Sequence, residues 1–384
     1  MRRDYLQSAM LAAGMLIHAP NAAAQSAAAA EPPVANAPAA KAAAKPAIAP
    51  AAQTAAPQSA TPAAPEAKPA AATTPTPEAP RVAAPAPGQA ANDAALTGSV
   101  GPSAKGAAVL RAQILLDRAN FSPGEIDGAY GSNMAQAIRG FQSHAGVPAT
   151  GTMDAATWAA LNMDSAPVLV NYTVTAEDVA GPFSTIPSDM IEKSKLSALG
   201  YTSALEGLGE KFHASPNLLK QLNPSAGFSS AGDVLVVPSV TDAAAIGAVD
   251  KVVVDKSTST LTLVDAAGKT LAQYPATMGS SHDPLPLGNW KIQGIARNPT
   301  FNYNPALFWD GNPAHGKAKI AGGPNNPVGV VWVDLSKEHY GIHGTPEPSK
   351  IGKTESHGCI RLTNWSASAV AKQAKSGMTA LLQE

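Results

Sequence analysis

The chain has 384 residues, with 34 prolines and 32 glycines but only 5% aromatic and 14% charged residues, which is too poor in core-forming side chains for one globular body. Its length predicts two or three folded units once the segments that cannot fold are set aside. The formal net charge of −1 argues against a nucleic-acid partner, because such proteins normally carry a basic domain or stripe.

The first 24 residues have the pattern of a secretory signal peptide. Arg2 and Arg3 precede an apolar stretch at 10–17, and small residues at 21–25 supply a cleavage site. The apolar stretch is shorter than the roughly 20 residues that a membrane span requires. Residues 1–24 are therefore expected to be cleaved, which leaves a mature protein without a transmembrane span in the periplasm or the cell wall.

Residues 25–100 are predicted to form a disordered linker rich in Ala and Pro. From 26 to 95 the sequence contains no Leu and no aromatic residue, and 14 prolines occur between Pro32 and Pro87. Such a segment has almost nothing to bury against the entropy of ordering. Two uses remain open: a tether that lets the folded domains search a surface, and a solubilising segment.

Residues 104–163 are predicted to form a small three-helix domain. Apolar residues recur at i, i+3, i+4 and i+7 between Met134 and Phe141, which lines one face of a helix. The order of helix, Asp-Gly-Ala-Tyr-Gly loop at 127–131, helix, Gly-Thr-Met-Asp at 151–154 and helix resembles a peptidoglycan-binding module. A three-helix bundle without a wall ligand is the alternative.

Residues 167–240 are predicted to form a small α+β segment. The Leu-Asn-Pro at 222–224 and the predicted strand at 233–238 resemble the closing part of a lysin-motif fold, which is another wall-binding module. The opening part of this segment is an insertion that such modules lack. Wall binding and a role as spacer or brace between domains therefore both remain open.

The last unit, 248–384, is predicted to be mainly β. Residues 252–255 and 260–264 are β-branched and partly alternating, and glycines punctuate the following region. One terminal helix is expected at 366–375. The protein as a whole is expected to be multidomain.

The single cysteine, Cys359, lies in Ser-His-Gly-Cys-Ile-Arg-Leu at 356–362, and Tyr-Gly-Ile-His-Gly-Thr precedes it at 340–345. A cysteine reacts as its thiolate, and a neighbouring imidazole is the usual activator. Two histidines are candidates: His357 would share a face with Cys359 in an extended segment, and His343 would approach from an adjacent strand. The alternatives are a buried, inert cysteine and a zinc site of these three residues, although their spacing matches no familiar zinc motif.

Other residues of the two motifs complete the predicted site. Gly358 leaves its own amide and that of Cys359 free for an oxyanion, and Arg361 offers a fixed positive charge for a substrate carboxylate. Four more residues are assigned roles: Tyr340 and Thr345 in substrate binding, and Gly344 and Ser356 in orientation of the site.

Together the two motifs are similar to the signature of the bacterial L,D-transpeptidase catalytic domain. The similarity extends back through the segments 276–279, 286–288, 298–300 and 323–329. It implies a β-sandwich-like fold, with the cysteine in a tunnel under a loop that we expect to include residues 309–319. It implies no cofactor and no metal.

The resemblance also implies a reaction. Cys359 would attack the carbonyl of residue three in a tetrapeptide stem and release D-Ala, and an amine of a second stem or a wall-linked protein would resolve the thioester. His343 would be the general acid/base, hydrogen-bonded to the carbonyl of Gly344, and His357 would orient the site. Carbapenems are expected to acylate Cys359. An L,D-carboxypeptidase or wall-linkage hydrolase of the same fold, and a non-catalytic wall-binding protein, are the alternatives.

Overall fold

The computed structural model describes residues 88–384. The predicted signal peptide at 1–24 and the linker as far as residue 87 lie outside the described residues. Within 88–384, no helix has the length and apolar character that crossing a membrane requires.

The three-helix domain is confirmed. It consists of α1 (Ala107–Arg118), α2 (Ser132–Ala145) and α3 (Ala155–Leu161). The face of α2 predicted from its periodicity is buried, from Met134 to Phe141. Asp154 caps helix α3, because its carboxylate accepts a hydrogen bond from the amide of Thr157 and so satisfies one of the free N–H groups at the helix end.

The folded region starts earlier than predicted. The sequence predicted a linker as far as residue 100, but residues 89–92 form a 3-10 helix whose Ala91 is completely buried. Arg111 of α1 donates a hydrogen bond to the carbonyl of Ala91, and the backbone of Val100 forms an isolated β-bridge with Met153. Small side chains such as alanine give no periodic signal, although they pack closely against a helix.

The small α+β segment is also confirmed. Strands β1 (Leu169–Thr173) and β2 (Val234–Pro238) pair antiparallel. Between them lie α4 (Met190–Ser194), α5 (Ala204–Lys211) and α6 (Pro216–Leu222).

The two N-terminal units share one hydrophobic core. A single cluster of buried side chains extends from the three helices to β2. The backbone also joins the units, because the amide of Ile126 donates to the carbonyl of His213 at 2.8 Å and the amide of Ser215 donates to the carbonyl of Ile126 at 2.9 Å. The boundary near residue 165 therefore separates two sequence motifs that pack as one body.

The C-terminal domain contains one nine-stranded sheet. Its strands are β3 (Lys251–Asp255), β4 (Thr260–Val264), β5 (Thr270–Pro275), β6 (Thr277–Met278), β7 (Gly288–Arg297), β10 (Val331–Leu335), β11 (Gly341–His343), β12 (Ile360–Arg361) and β13 (Thr379–Gln383). They are ordered β5-β4-β3-β13-β7-β10-β11-β12-β6 across the sheet. The edge strands β5 and β6 are consecutive in the chain, with only Ala276 between them, so the sheet curls until it is nearly closed. The mainly β prediction is confirmed.

The end of the chain differs from the prediction. Helix α7 (Asn364–Gln373) is present, capped by the hydroxyl of Thr363, but it is followed by the strand β13. This strand lies between β3 and β7 and pairs with both. Its five residues are too few for their alternation to be distinguished from a helix end by sequence alone.

The three-helix domain covers the edge strand β5. The amide of Gln273 donates to the carbonyl of Asn120, and the carbonyl of Gln273 accepts from the amide of Ser122, both at 2.9 Å. The side chain of Gln273 also donates to the carbonyl of Gln136 at 2.6 Å. An exposed strand edge is a template for unwanted pairing, so this contact protects the sheet as well as joining the domains.

The insertion at the start of the α+β segment packs on a hairpin of the C-terminal domain. That hairpin is formed by β8 (Phe301–Tyr303) and β9 (Ala318–Ile320). Leu199 of the insertion is completely buried with Tyr303 and Ile320, and its backbone exchanges hydrogen bonds with Gly322 and Asn325. Of the two roles left open for this segment, this contact supports the brace.

We expect Leu199→Ala to loosen the hairpin. Removal of a buried leucine should lower the free energy of unfolding by about 2–5 kcal/mol. Hydrogen exchange followed by mass spectrometry should then show faster exchange in 301–320 than in the wild type, with a smaller change in 251–264. Equal acceleration in both segments would mean that the hairpin does not depend on the insertion.

Candidate active site

The sheet brings the two predicted motifs together. Strands β11 and β12 are parallel neighbours, in which Ile342 pairs with Ile360 and His343 pairs with Arg361. Cys359 lies immediately before β12 and is partly exposed. Its thiol donates to the carbonyl of His339, 3.6 Å away, in the turn before β11.

His343 is held in one tautomer. Its side chain is 4% exposed, and its Nδ1 lies 2.7 Å from the carbonyl oxygen of Gly344, the contact that the family resemblance implies. A carbonyl only accepts, so Nδ1 carries the proton and Nε2 keeps a free lone pair. Trp332 of β10 stacks on the ring at a centroid distance of 5.6 Å. Burial, with a further contribution from the charge of Arg361, lowers the pKa of His343 to about 3, so the imidazole is neutral near pH 7.

Some neighbours of Cys359 raise the pKa of its thiol, and others lower it. Burial raises the pKa of the thiol above its ordinary value, and the nearby carboxylate of Asp283 raises it further. The amide of Gly341, which donates to the sulfur, and the charge of Arg361 lower the thiol pKa in part. Proton transfer to a base therefore suits this thiol better than ionisation before the substrate arrives.

The backbone before Cys359 is fixed by Ser356. The Ser356 side chain is buried, and its hydroxyl donates to the carbonyl of Cys359 at 2.6 Å and accepts from the amide of Gly279 at 2.8 Å. Within residues 88–384, the amides of Gly358 and Cys359 donate to no protein group. Both amides are thus free to bind an oxyanion, and the two hydrogen bonds of Ser356 fix the backbone around them.

Gly358 has a conformation that disfavours other residues. Its φ is +92°, and a Cβ at this position would lie 2.6 Å from the ring of Tyr340. We expect Gly358→Ala to lower the rate of acylation at Cys359 by about 10-fold or more, because the backbone strain would move the nucleophile and its amide. Single-turnover acylation by a carbapenem would measure this. An unchanged rate would show that the turn tolerates a side chain.

Among the described residues, His357 makes its hydrogen bonds to Asp310 and Arg361 and none to the thiol of Cys359. The left-handed Gly358 bends the segment, so the extended arrangement that would place His357 on one face with Cys359 is wrong. The Nε2 of His357 donates to Asp310 at 2.9 Å, and its Nδ1 faces the guanidinium of Arg361 at 3.4 Å. Trp309 stacks on the ring with a centroid distance of 5.9 Å. His357 thus links the loop between β8 and β9 to the site.

The loop between β8 and β9 includes residues 309–317 of the segment expected to cover the cysteine. The Nε2 of its His315 lies 3.0 Å from a carboxylate oxygen of Asp189, the cap residue of α4. This loop therefore contacts the insertion through His315 and Asp189, and it contacts the active site through Asp310 and His357. Sequence reasoning missed Asp310, because an isolated aspartate in a loop of Gly and Pro carries no pattern.

The three residues assigned to substrate binding have different environments. Arg361 is partly exposed, and its guanidinium faces the charges of Cys359, Glu347 and Asp310, which oppose the lowering of its pKa by burial. Tyr340 is partly exposed against Gly358. Thr345, in contrast, is 6% exposed, and its hydroxyl accepts from the amide of Glu347. The hydroxyl of Thr345 thus helps to shape the loop after β11, and its role in substrate binding stays a prediction.

Comparisons with known proteins show which families the folded domains are similar to. The family model for the YkuD L,D-transpeptidase catalytic domain matches residues 250–381, and that for a “Putative peptidoglycan binding domain” matches residues 105–161. The relative “Putative L,D-transpeptidase YkuD” of Bacillus subtilis is 34% identical over 162 residues, which are 42% of this chain and 81% of that protein. “Probable L,D-transpeptidase YbiS” of Escherichia coli is 25% identical over 209 residues, 51% of this chain and 66% of that protein. A solved L,D-transpeptidase from Xylanimonas cellulosilytica aligns over 74% of this chain and 95% of its own, with 17% identity and a TM-score of 0.32.

A mainly β domain that sets a partly exposed cysteine near a buried, oriented histidine has the architecture of an enzyme with a cysteine nucleophile. The chain belongs to the L,D-transpeptidase family. Its peptidoglycan-binding domain and its catalytic domain together imply a peptidoglycan substrate and a function at the cell wall.

Proposed function

We propose that this protein is a peptidoglycan L,D-transpeptidase that makes 3→3 crosslinks in cell-wall biogenesis. The sulfur of Cys359 attacks the carbonyl of residue three in a tetrapeptide stem as the thiol proton passes to His343, D-Ala leaves, and a thioester remains on the sulfur. The amine of a second stem, or of a wall-linked protein, then displaces the sulfur. The observation that carries this proposal is the His343 imidazole, neutral and held by Gly344 on the strand beside that of Cys359.

The proton balance of acylation follows from the His343 tautomer. The free Nε2 accepts the proton of the Cys359 thiol as the sulfur–carbon bond forms. It returns that proton to the nitrogen of D-Ala as the carbon–nitrogen bond breaks, so D-Ala leaves as a neutral amine. The negative charge on the carbonyl oxygen in between is stabilised by the free amides of Gly358 and Cys359.

The remaining parts of the molecule support delivery to the wall. Export by the segment 1–24 brings the protein to the periplasm or cell wall, and the domain at 104–163 binds peptidoglycan. Arg361 and Tyr340 border the nucleophile, where a stem carboxylate and backbone bind. Acylation of Cys359 by carbapenems follows from the same nucleophile.

The test is mass spectrometry of the products formed from tetrapeptide muropeptide monomers, with Cys359→Ala as the matched control. A dimer that has lost one D-Ala and depends on Cys359 would establish transpeptidation. Loss of D-Ala without a dimer would mean an L,D-carboxypeptidase. No product and no covalent adduct with a carbapenem would mean a wall-binding protein without activity and would overturn the proposal.

A further inference from the structure

The side chain of Asn364 packs against the residue that holds His343. Asn364 is the first residue of α7, and its side chain is buried. Its Oδ1 accepts a hydrogen bond at 3.2 Å from the amide of Val330, the residue before β10. The same oxygen lies so close to Gly344 that a Cβ on this glycine would collide with it. Asn364 thus limits where the Gly344 carbonyl, the partner of Nδ1 of His343, can lie.

The Gly344 peptide is enclosed from a second side by the segment that leads into β10. Gly329 has a φ of +61°, and a Cβ at this position would lie 2.7 Å from the carbonyl carbon of Gly344. The amide of Gly344 donates to the carbonyl of Val331 at 3.3 Å. A shift of the Asn364 side chain would therefore remove one of the two sides that keep this peptide in place.

Asn364 is itself held by the α+β segment. Its Nδ2 donates to the carbonyl of Pro324 and to Oε1 of Glu210 in α5, each at 3.2 Å. A similar contact occurs one turn earlier, where Oε1 of Glu206 accepts from Nδ2 of Asn325 at 2.7 Å. Residues four apart share one face of a helix, so α5 presents two carboxyl groups to two asparagines of the catalytic domain. Only the later contact reaches the residue that packs on Gly344.

Glu210 accepts this hydrogen bond as a mostly neutral carboxyl group. Burial, together with the charges of Glu206 and Glu125, raises the pKa of Glu210 to about 8, although the hydrogen bond from Asn364 lowers it in part. At pH 7 the group therefore mostly carries its proton, and its other oxygen remains an acceptor. Glutamine at this position would offer an acceptor oxygen in a side chain of the same shape, whereas alanine would offer none.

We propose that Glu210 and Asn364 are positioning residues that hold the Gly344 carbonyl against Nδ1 of His343. This inference rests on the proposed acylation, in which Nε2 of His343 accepts the thiol proton. The effect of both residues on the reaction passes through Gly344. The α+β segment thereby contributes to the order of the active site, in addition to bracing the hairpin of β8 and β9.

The first test follows the Nδ1 proton of His343 by NMR in the full chain labelled with ¹⁵N-histidine. The resonance is assigned by its absence from His343→Gln. In Glu210→Ala we expect this proton to exchange with solvent about 10-fold faster than in the wild type, because Asn364 loses one of its two acceptors and the Gly344 carbonyl is held less firmly. Asn364→Ala should show the same change or a larger one. Glu210→Gln should keep the exchange rate of the wild type.

The second test measures acylation of Cys359 by a carbapenem over a range of concentrations. The limiting rate should fall about 10-fold in Glu210→Ala, because small displacements of a catalytic group are costly, and should return to within about twofold of the wild type in Glu210→Gln. The carbapenem concentration that gives half the limiting rate should stay the same, because Glu210 acts through Asn364 rather than on the ligand.

The matched control is Glu206→Ala, which removes a carboxyl group from the same face of α5. The asparagine that it releases, Asn325, bonds through its side chain to Glu206 and the carbonyl of Gly200, and not to the residues around Gly344. This variant should lower the melting temperature by weakening the same interface. Its proton exchange at His343 and its limiting rate of acylation should match those of the wild type.

Unchanged proton exchange and an unchanged limiting rate in Glu210→Ala would overturn the inference. Equal effects in Glu206→Ala would also overturn it, because they would reflect a general loosening of the interface. A Glu210→Gln variant that behaves like Glu210→Ala would contradict the role of Glu210 as an acceptor. If Cys359 of the wild type is not acylated at all, the proposed function fails instead, and the proton exchange still decides whether Glu210 and Asn364 position His343.

Discussion

Replacement of Cys359 with serine is expected to reduce release of D-Ala on the order of 10⁴-fold or more. A serine hydroxyl is far harder to ionise than a thiol, so it needs a strong base. The base in this site is a buried imidazole whose pKa is lowered to about 3, and it is therefore too weak to activate a hydroxyl group. The rate is measured as D-Ala released from tetrapeptide monomers.

The matched control for this prediction is Cys359→Ala, which has no nucleophile. Both variants should keep the melting temperature of the wild type within a few degrees, because Cys359 is partly exposed and has no disulfide partner. Activity of the serine variant well above that of the alanine variant would assign the nucleophile to another group.

For His343→Ala we expect a loss on the order of 10²-fold or more in the rate of acylation, in line with the contribution of a general base. The ring is 4% exposed and stacked on Trp332, so the alanine variant also loses packing. His343→Gln fills more of this space and serves as the second variant. Stopped-flow measurement of carbapenem acylation follows the step that depends on the base.

The pH dependence of the wild type tests the same role. The folded-state pKa of His343 is about 3, so lowering the pH through the usual range of histidine near 6.5 leaves the ring neutral and able to accept a proton. Loss of activity through protonation of His343 should therefore begin only near pH 3, provided that the protein stays folded.

Rates equal to the wild type in both His343 variants would move the role of base to His357.

The N-terminal domains have a fixed relation to the catalytic domain. The three-helix domain covers β5 through Gln273, and the insertion that contains Leu199 holds the hairpin next to the active site. Deletion of residues 106–162 would therefore open the shared core and uncover a strand edge, in addition to removing a wall-binding surface. Wall binding is better tested with substitutions of exposed residues on the three-helix domain.

Much of the site could be predicted from the sequence, because its chemistry is concentrated in two short motifs. Cys359 and His343 are identified by residue type and spacing, and their strands proved to be neighbours. The tautomer of His343, in contrast, depends on a carbonyl, and the orientation of His357 depends on the left-handed Gly358. Thr345 matches the motif in sequence, but its hydroxyl is used inside the loop.

The sequence by itself determined the order of the units and the elements with clear periodicity, such as α2 and β3. It also pointed to Cys359 as the candidate nucleophile, because this is the single cysteine of the sequence. Only the tertiary structure decided which distant residues meet: β13 is placed between β3 and β7 inside the sheet, and Asp310 binds His357. Local propensity acts over a few residues, whereas these contacts join segments tens to more than a hundred residues apart and form only when the whole sheet closes.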